Sequence, residues 1–265
     1  MRTSKILSGF SALGLAFGLL ILAVAVPAQA KSILDPGDIA IIGYNFDNPD
    51  EFAFVALVEL DAGAEIRFTD SGWTAAGAFR GNEGAVKYTA PAGGIVTGTI
   101  VVYTGTIGDF SVDNDAIVGT SGFSLSGSGD QILAFQGLSS APNFVYGLHS
   151  NTLSWELDAT DAASSTLPST LTNGTTAVAI PEVDNAVYTG TTFANQSHNA
   201  AYFLSLIGNP ANWQTSDSTR FTMPSTTFTG PNAVALQNLF ASSPLFNLTA
   251  MLIVAAGLVI LRKRR

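Results

Sequence analysis

The sequence predicts an all-β fold, a sandwich or barrel of antiparallel strands with one short accessory helix, and three observations carry that reading. Short runs of β-branched and aromatic residues recur through residues 31–230, broken at roughly eight- to twelve-residue intervals by Gly, Asp, Asn or Pro, the spacing of small antiparallel strands. Several runs alternate apolar and polar side chains with a period of two. A single stretch carries the 3.6-residue period of an amphipathic helix.

The first run, Asp38 to Tyr44, is apolar on both faces, as is Phe52 to Leu60 beyond the polar turn Asn45 to Glu51; such strands are expected where both faces are covered. Ile66 and Phe68 alternate with Arg67 and Thr69, and Val86 and Tyr88 with Lys87 and Thr89, the pattern of half-buried strands. After the break at Pro91 to Gly94, Thr99 to Tyr103 supplies another. Phe123 and Leu125 alternate with Ser124 and Ser126, then Gly127 to Asp130 and the run Gln131 to Gln136 follow, which predicts a hairpin. Asn143 to Gly147, Thr176 to Ile180 and Ala186 to Thr189 are weaker strands, and the polar connection Asp158 to Asn173 is expected to be loop. The helix is predicted from Ala200, Phe203, Leu204 and Ile207, with Ser197 as N-cap, Gly208 as its stop and Pro210 beyond.

The ends carry a different signal. Arg2 and Lys5 precede an uncharged apolar run from Ile6 to Val26, then Pro27 and Ala28-Gln29-Ala30, the order of a secretory signal peptide over residues 1–30, cut after Ala30 by signal peptidase during Sec-type export. Residues 231–244 read as a Ser-, Pro- and Asn-bearing stalk and 245–261 as an uncharged transmembrane helix. Arg262, Lys263, Arg264 and Arg265 form a basic cytoplasmic tail, which places residues 31–230 outside. Residues 31–244 hold all 20 acids but only five of the 11 basic residues, a net of −15; such a surface excludes nucleic acid as a partner. The chain has no cysteine, so neither disulfides nor thiol chemistry contributes.

An apolar helix followed by a basic cluster after a low-complexity stalk resembles the sorting tails of bacterial exported proteins such as the PEP-CTERM family, although Ser242-Ser243-Pro244 stands where that family has Pro-Glu-Pro. The resemblance implies an exosortase-like processing enzyme as a partner. Gly37 to Thr104, with its segments GDIAIIGYN, DEFAFVALVEL, IRFTDSGW and TAPAGG, is similar to a domain of such surface proteins and distantly to lamin-tail-like β-sandwiches. That likeness implies an Ig-like antiparallel sandwich on the cell surface.

Chemistry is sparse. The only histidines are His149 and His198, and no G-x-S-x-G elbow exists, so neither a Ser-His-Asp arrangement nor a zinc site is indicated. Calcium, which prefers loop oxygens, has weak candidates in Asp113 and Asp115, a D-N-D loop, and in Asp47, Asp50 and Glu51. Trp155 and Trp213 are candidate ligand-binding aromatics for stacking on glycans, whereas Trp73 reads as core. A non-catalytic structural or adhesive surface protein is the first expectation. A carbohydrate-binding or Ca-dependent recognition module is the second, and a secreted hydrolase with a carboxylate pair the third. Burial of Trp155, Trp213, Asp70, Glu83 and Glu156 separates them.

Overall fold

The computed structural model describes residues 32–190 and 200–225, and the segments read from sequence as signal, stalk, membrane helix and tail lie outside them. Two sheets face each other. β1 (Ile39–Asn45) and β2 (Glu51–Ala56), the two doubly apolar runs, are the inner strands of a five-stranded sheet ordered β11–β10–β1–β2–β5. β5 is Ile100–Tyr103, β10 Asn185–Tyr188 and β11 Trp213–Ser216. Every residue of β1 is buried, as expected of a strand covered on both faces.

The second sheet runs β6–β4–β3–β7–β8–β9, built from β3 (Glu65–Thr69), β4 (Ala85–Thr89), β6 (Phe110–Val112), β7 (Asp130–Leu138), β8 (Ala141–Asn151) and β9 (Ala177–Pro181). Its long hairpin pairs β7 with β8 across a turn at Ser139 and Ser140, with Leu138 opposite Ala141. Phe123 to Leu125 is therefore not the partner of β7, and the predicted hairpin between them does not form. A second departure is the β8–β9 pair, which is parallel, so the sheets are not purely antiparallel. A parallel neighbour needs a long crossover, and residues 152–176 provide it.

Period-two alternation sorts side chains into two cores. Ile66 and Phe68 of β3, Val86 and Tyr88 of β4, Ile132 and Ala134 of β7, and Val178 and Ile180 of β9 point into the space between the sheets. There Phe52 lies 4.8 Å from Phe68, 5.0 Å from Tyr103 and 5.7 Å from Phe123, ring centre to ring centre. Their alternates Leu133, Phe135 and Ala177 turn outward with Phe144 and meet Phe79 and Leu171 in a smaller core on the outer face. Loops roof that second core, because an apolar outer face cannot be left in water.

The helix α1 (Ala200–Ile207) buries Phe203, Leu204 and Ile207, as its periodicity predicts. It closes one end of the sandwich, where Leu204 packs on Gly37 and Gly208 abuts Gly174; its predicted cap Ser197 lies outside the described residues. A 3₁₀ turn at Pro210–Asn212 then leads into β11. Phe52, fully buried at the centre of the aromatic cluster, makes the interior testable. Phe52→Ala is expected to destabilise the fold by about 3–5 kcal/mol, read as a lower urea midpoint at unchanged slope.

Candidate functional site

Three consecutive backbone amides explain why residues 123–126 are not a strand. The Ser124 N–H donates to Asp70 Oδ2 at 2.8 Å, Leu125 N–H to Asp50 Oδ2 at 2.9 Å, and Ser126 N–H to Asp130 Oδ2 at 2.8 Å. Carboxylates here replace a neighbouring strand as acceptors, so the segment crosses the sheet edge as a strap. Asp70 also accepts from Gly84 N–H at 2.8 Å, and Gln131 Nε2 donates to Asp130 Oδ1, to the Asp70 carbonyl and to the Ala162 carbonyl. Gly84 passes so close to the Gly122 backbone that a Cβ there has no room.

This clamp gathers acids at low exposure, with Asp70 at 2% and Asp130 at 3%. Burial raises the Asp70 carboxyl to about 6 against the lowering effect of its amide donors. Burial, then the nearby Asp70, raises Glu83 to about 7, and burial likewise holds Asp130 well above the usual carboxylate range. Glu83 Oε1 is 3.5 Å from Arg80 Nη1, while its Oε2 is buried without a hydrogen-bond donor. Raised carboxyls mark many active sites, but Asp70 and Asp130 are shut away and bonded to backbone amides, a structural use.

A site open to solvent lies elsewhere, in the roof over the second core. Residues 73–79 form a small turn in which Trp73 bridges Phe79 and Thr74 Oγ1 donates to the Ala78 carbonyl at 2.8 Å. The crossover is stitched to it: Trp73 N–H donates to Ser165 Oγ at 2.9 Å, Thr166 N–H to the Trp73 carbonyl at 2.8 Å, and Ala75 N–H to Asp158 Oδ1 at 2.9 Å. Between the two loops opens a cavity of about 490 Å³ bordered by Trp73, Thr74, Trp155, Glu156, Leu157 and Thr166, among others.

Trp155 is seated by strand β8. Its indole comes within 3.0 Å of where a side chain on Gly147 would begin, and its ring lies 5.2 Å from that of His149, two residues along the same face. The indole Nε1–H reaches Asn173 Oδ1 at 3.3 Å. His149 is 0% exposed, and its Nε2 lies 2.8 Å from Glu156 Oε2. Burial depresses the imidazole below its ordinary value despite the opposing Glu156 carboxylate, so it is neutral near pH 7. Glu156 also accepts from Ser165 N–H and Asn151 Nδ2.

The remaining candidates fall in separate places. Trp213, expected as a possible stacking platform, is 7% exposed, on the other sheet, packed on Tyr188 and donating Nε1–H to the Ile207 carbonyl at 2.7 Å; a buried indole presents no face to a ligand. Trp73, read as core, instead does both, packing on Phe144 at 4.8 Å and bordering the cavity. Asp113 and Asp115 close on Arg67, at 2.9 and 3.1 Å from its Nε and Nη1, and Asp115 accepts from Ser139 Oγ at 2.6 Å. Asp47 accepts from Asn185 and Glu51 pairs with Arg220, so the first-turn acids serve three different partners. Among the described residues no group of three or more His, Cys, Asp or Glu has metal-binding geometry. His198, Ala28, Ala30 and Arg262 to Arg265 lie outside them.

Compared with known proteins, the chain matches no family model, no curated protein and no solved structure.

The clamp has a pH signature. Asp70 and Glu83 hold protons in the folded state that the unfolded chain releases, so their stabilising contribution is fully present below the ordinary carboxyl range and is lost as pH rises through about 6 and about 7. Thermal stability is expected to fall between about pH 4.5 and about pH 7.5 and to level off above that. Glu83→Gln, which removes the buried charge, is expected to flatten part of that slope, Asp70 keeping the rest, and to raise the midpoint at pH 8.5 by roughly 2–4 °C, measured by circular dichroism.

Proposed function

We propose that the chain is a non-catalytic cell-surface or extracellular-matrix protein that displays an Ig-like β-sandwich and acts by recognition or adhesion. The observation that carries this reading is how the ionisable groups of the ectodomain are used. Asp50, Asp70 and Asp130 hold a strap through backbone amides, and His149 lies beneath Trp155 against Glu156. These three aspartates thus hold a loop in place and His149 is closed off from solvent. The cavity that opens to solvent is walled by indoles, hydroxyls and an already engaged carboxylate, which suits binding more than bond cleavage.

Export and anchoring are proposed from the sequence. Residues 1–30 read as a signal for Sec-type export and signal peptidase, 245–261 as a membrane helix and Arg262 to Arg265 as the cytoplasmic stop, with sorting by an exosortase-like enzyme as the alternative fate of that tail. Among the described residues no helix is long and apolar enough to cross a membrane. The acidic surface of residues 31–244 favours solubility outside a cell.

Intact mass of the protein from fractionated native cells tests this. A chain beginning at Lys31, either in the membrane with residues 31–230 open to external protease or released without its helix and basic tail, is the expected result. A chain retaining Met1 in the cytosol sinks the display reading.

A further inference from the structure

The cavity in the roof of the second core has a built aromatic wall. Trp155 is fixed on one side by Gly147 and His149 and at its Nε1–H by Asn173, and it borders the cavity. The second wall, Trp73, is tied to the crossover through Ser165 and Thr166 and wedged edge-on against Phe79 and Phe144. Side chains held in place before a ligand arrives lose little conformational entropy on binding. The volume of about 490 Å³ lies within the range of small-molecule sites, about 300–1,000 Å³.

Around these walls stand short hydrogen-bonding groups, the hydroxyls of Thr74, Thr166 and Ser169 and the Glu156 carboxylate. Leu157, 94% exposed, adds an apolar rim. A ligand that fits must offer a flat face of C–H groups to an indole and hydroxyls around its edge. Two other chemistries fit less well. No Lys or Arg borders the cavity among the described residues, while Glu156 does, so an anion is repelled. A cation would want an uncompensated carboxylate against the rings, yet Glu156 already accepts from the Asn151 side chain and the Ser165 amide.

We propose that the Trp73–Trp155 cavity binds a neutral sugar unit of a glycan, stacked on the Trp155 indole, with Glu156 and the threonine hydroxyls taking its hydroxyl groups. This deepens the recognition reading above and rests on it for where the glycan is met, on the outside of a cell. Trp155 is the residue on which affinity depends, because an aromatic face supplies both apolar area and orientation.

The test uses the full chain in a detergent without a sugar headgroup, applied to an array of neutral hexose and N-acetylhexosamine oligosaccharides, with sialylated and sulfated glycans and tetramethylammonium as comparisons. Binding of neutral glycans, with a change in tryptophan fluorescence, is expected. Trp155→Ala is expected to weaken it at least about tenfold. Ala75→Trp, at an exposed position bordering the cavity, is expected to block it while leaving the far-ultraviolet circular dichroism unchanged, and decides the matter alone if Trp155→Ala does not fold. A folded wild-type chain that binds no neutral glycan, that binds only tetramethylammonium or only anionic glycans, or whose binding survives both substitutions overturns the proposal. A chain shown outside the cell that ignores the array sinks the glycan inference alone; a cytosolic chain sinks the display reading, and the array result then stands by itself.

Discussion

Three aspartates from three distant points of the chain hold one strap. Asp50 precedes β2, Asp70 follows β3 and Asp130 opens β7, and each accepts one of three successive amides, Ser124 to Ser126. Because Asp50 belongs to the five-stranded sheet's side of the chain and the other two to the six-stranded sheet, the strap ties the layers together at one edge. Charge-assisted bonds to amides are stronger than neutral ones, and they tolerate the burial that pushes these carboxyls upward. With no cysteine to staple the layers, this polar clamp and the aromatic interior around Phe52 carry the cross-layer contact.

The clamp also sets the roof. Gln131, next to Asp130, reaches from the sheet to the Ala162 carbonyl, and Asp70 leads directly into the 71–84 loop that carries Trp73. The two loops bordering the cavity are thus anchored from below by the same cluster that holds the strap. Outward-facing Leu133, Phe135 and Phe144 give them an apolar floor. A sheet of period-two strands has two faces to dispose of; here one builds the sandwich and the other, only partly polar, becomes the seat of a pocket.

Much of the fold is legible in the sequence because its signals are local. The doubly apolar runs at Ile39 and Phe52 appear as inner strands, the alternating runs at Ile66 and Val86 as a half-buried pair, and Ala200, Phe203, Leu204 and Ile207 as the helix. Alternation failed at Phe123-Ser124-Leu125-Ser126, whose pattern is that of a strand but whose acceptors are side chains. β6 and β11 are edge strands of three and four residues, too short for a period of two to show, and β11 opens with Trp213, which the sequence offers as a ligand contact. Trp73 bordering the cavity was missed, because an indole that packs with one edge and opens with another looks in sequence like any core residue.

Neighbours along the chain settle the β class, the helix and the acidic composition of the described residues. Where partners meet across the fold is settled in three dimensions. The pairing of β7 with β8, the parallel placement of β9, the commitment of Asp70 and Asp130 to amides, the capture of Asp113 and Asp115 by Arg67, and the opposite fates of Trp155 and Trp213 all depend on residues tens of positions apart. Hydrogen bonds and burial are satisfied in three dimensions, and a carboxylate or an indole has the same identity in sequence whether it meets solvent, a ligand or a distant backbone amide.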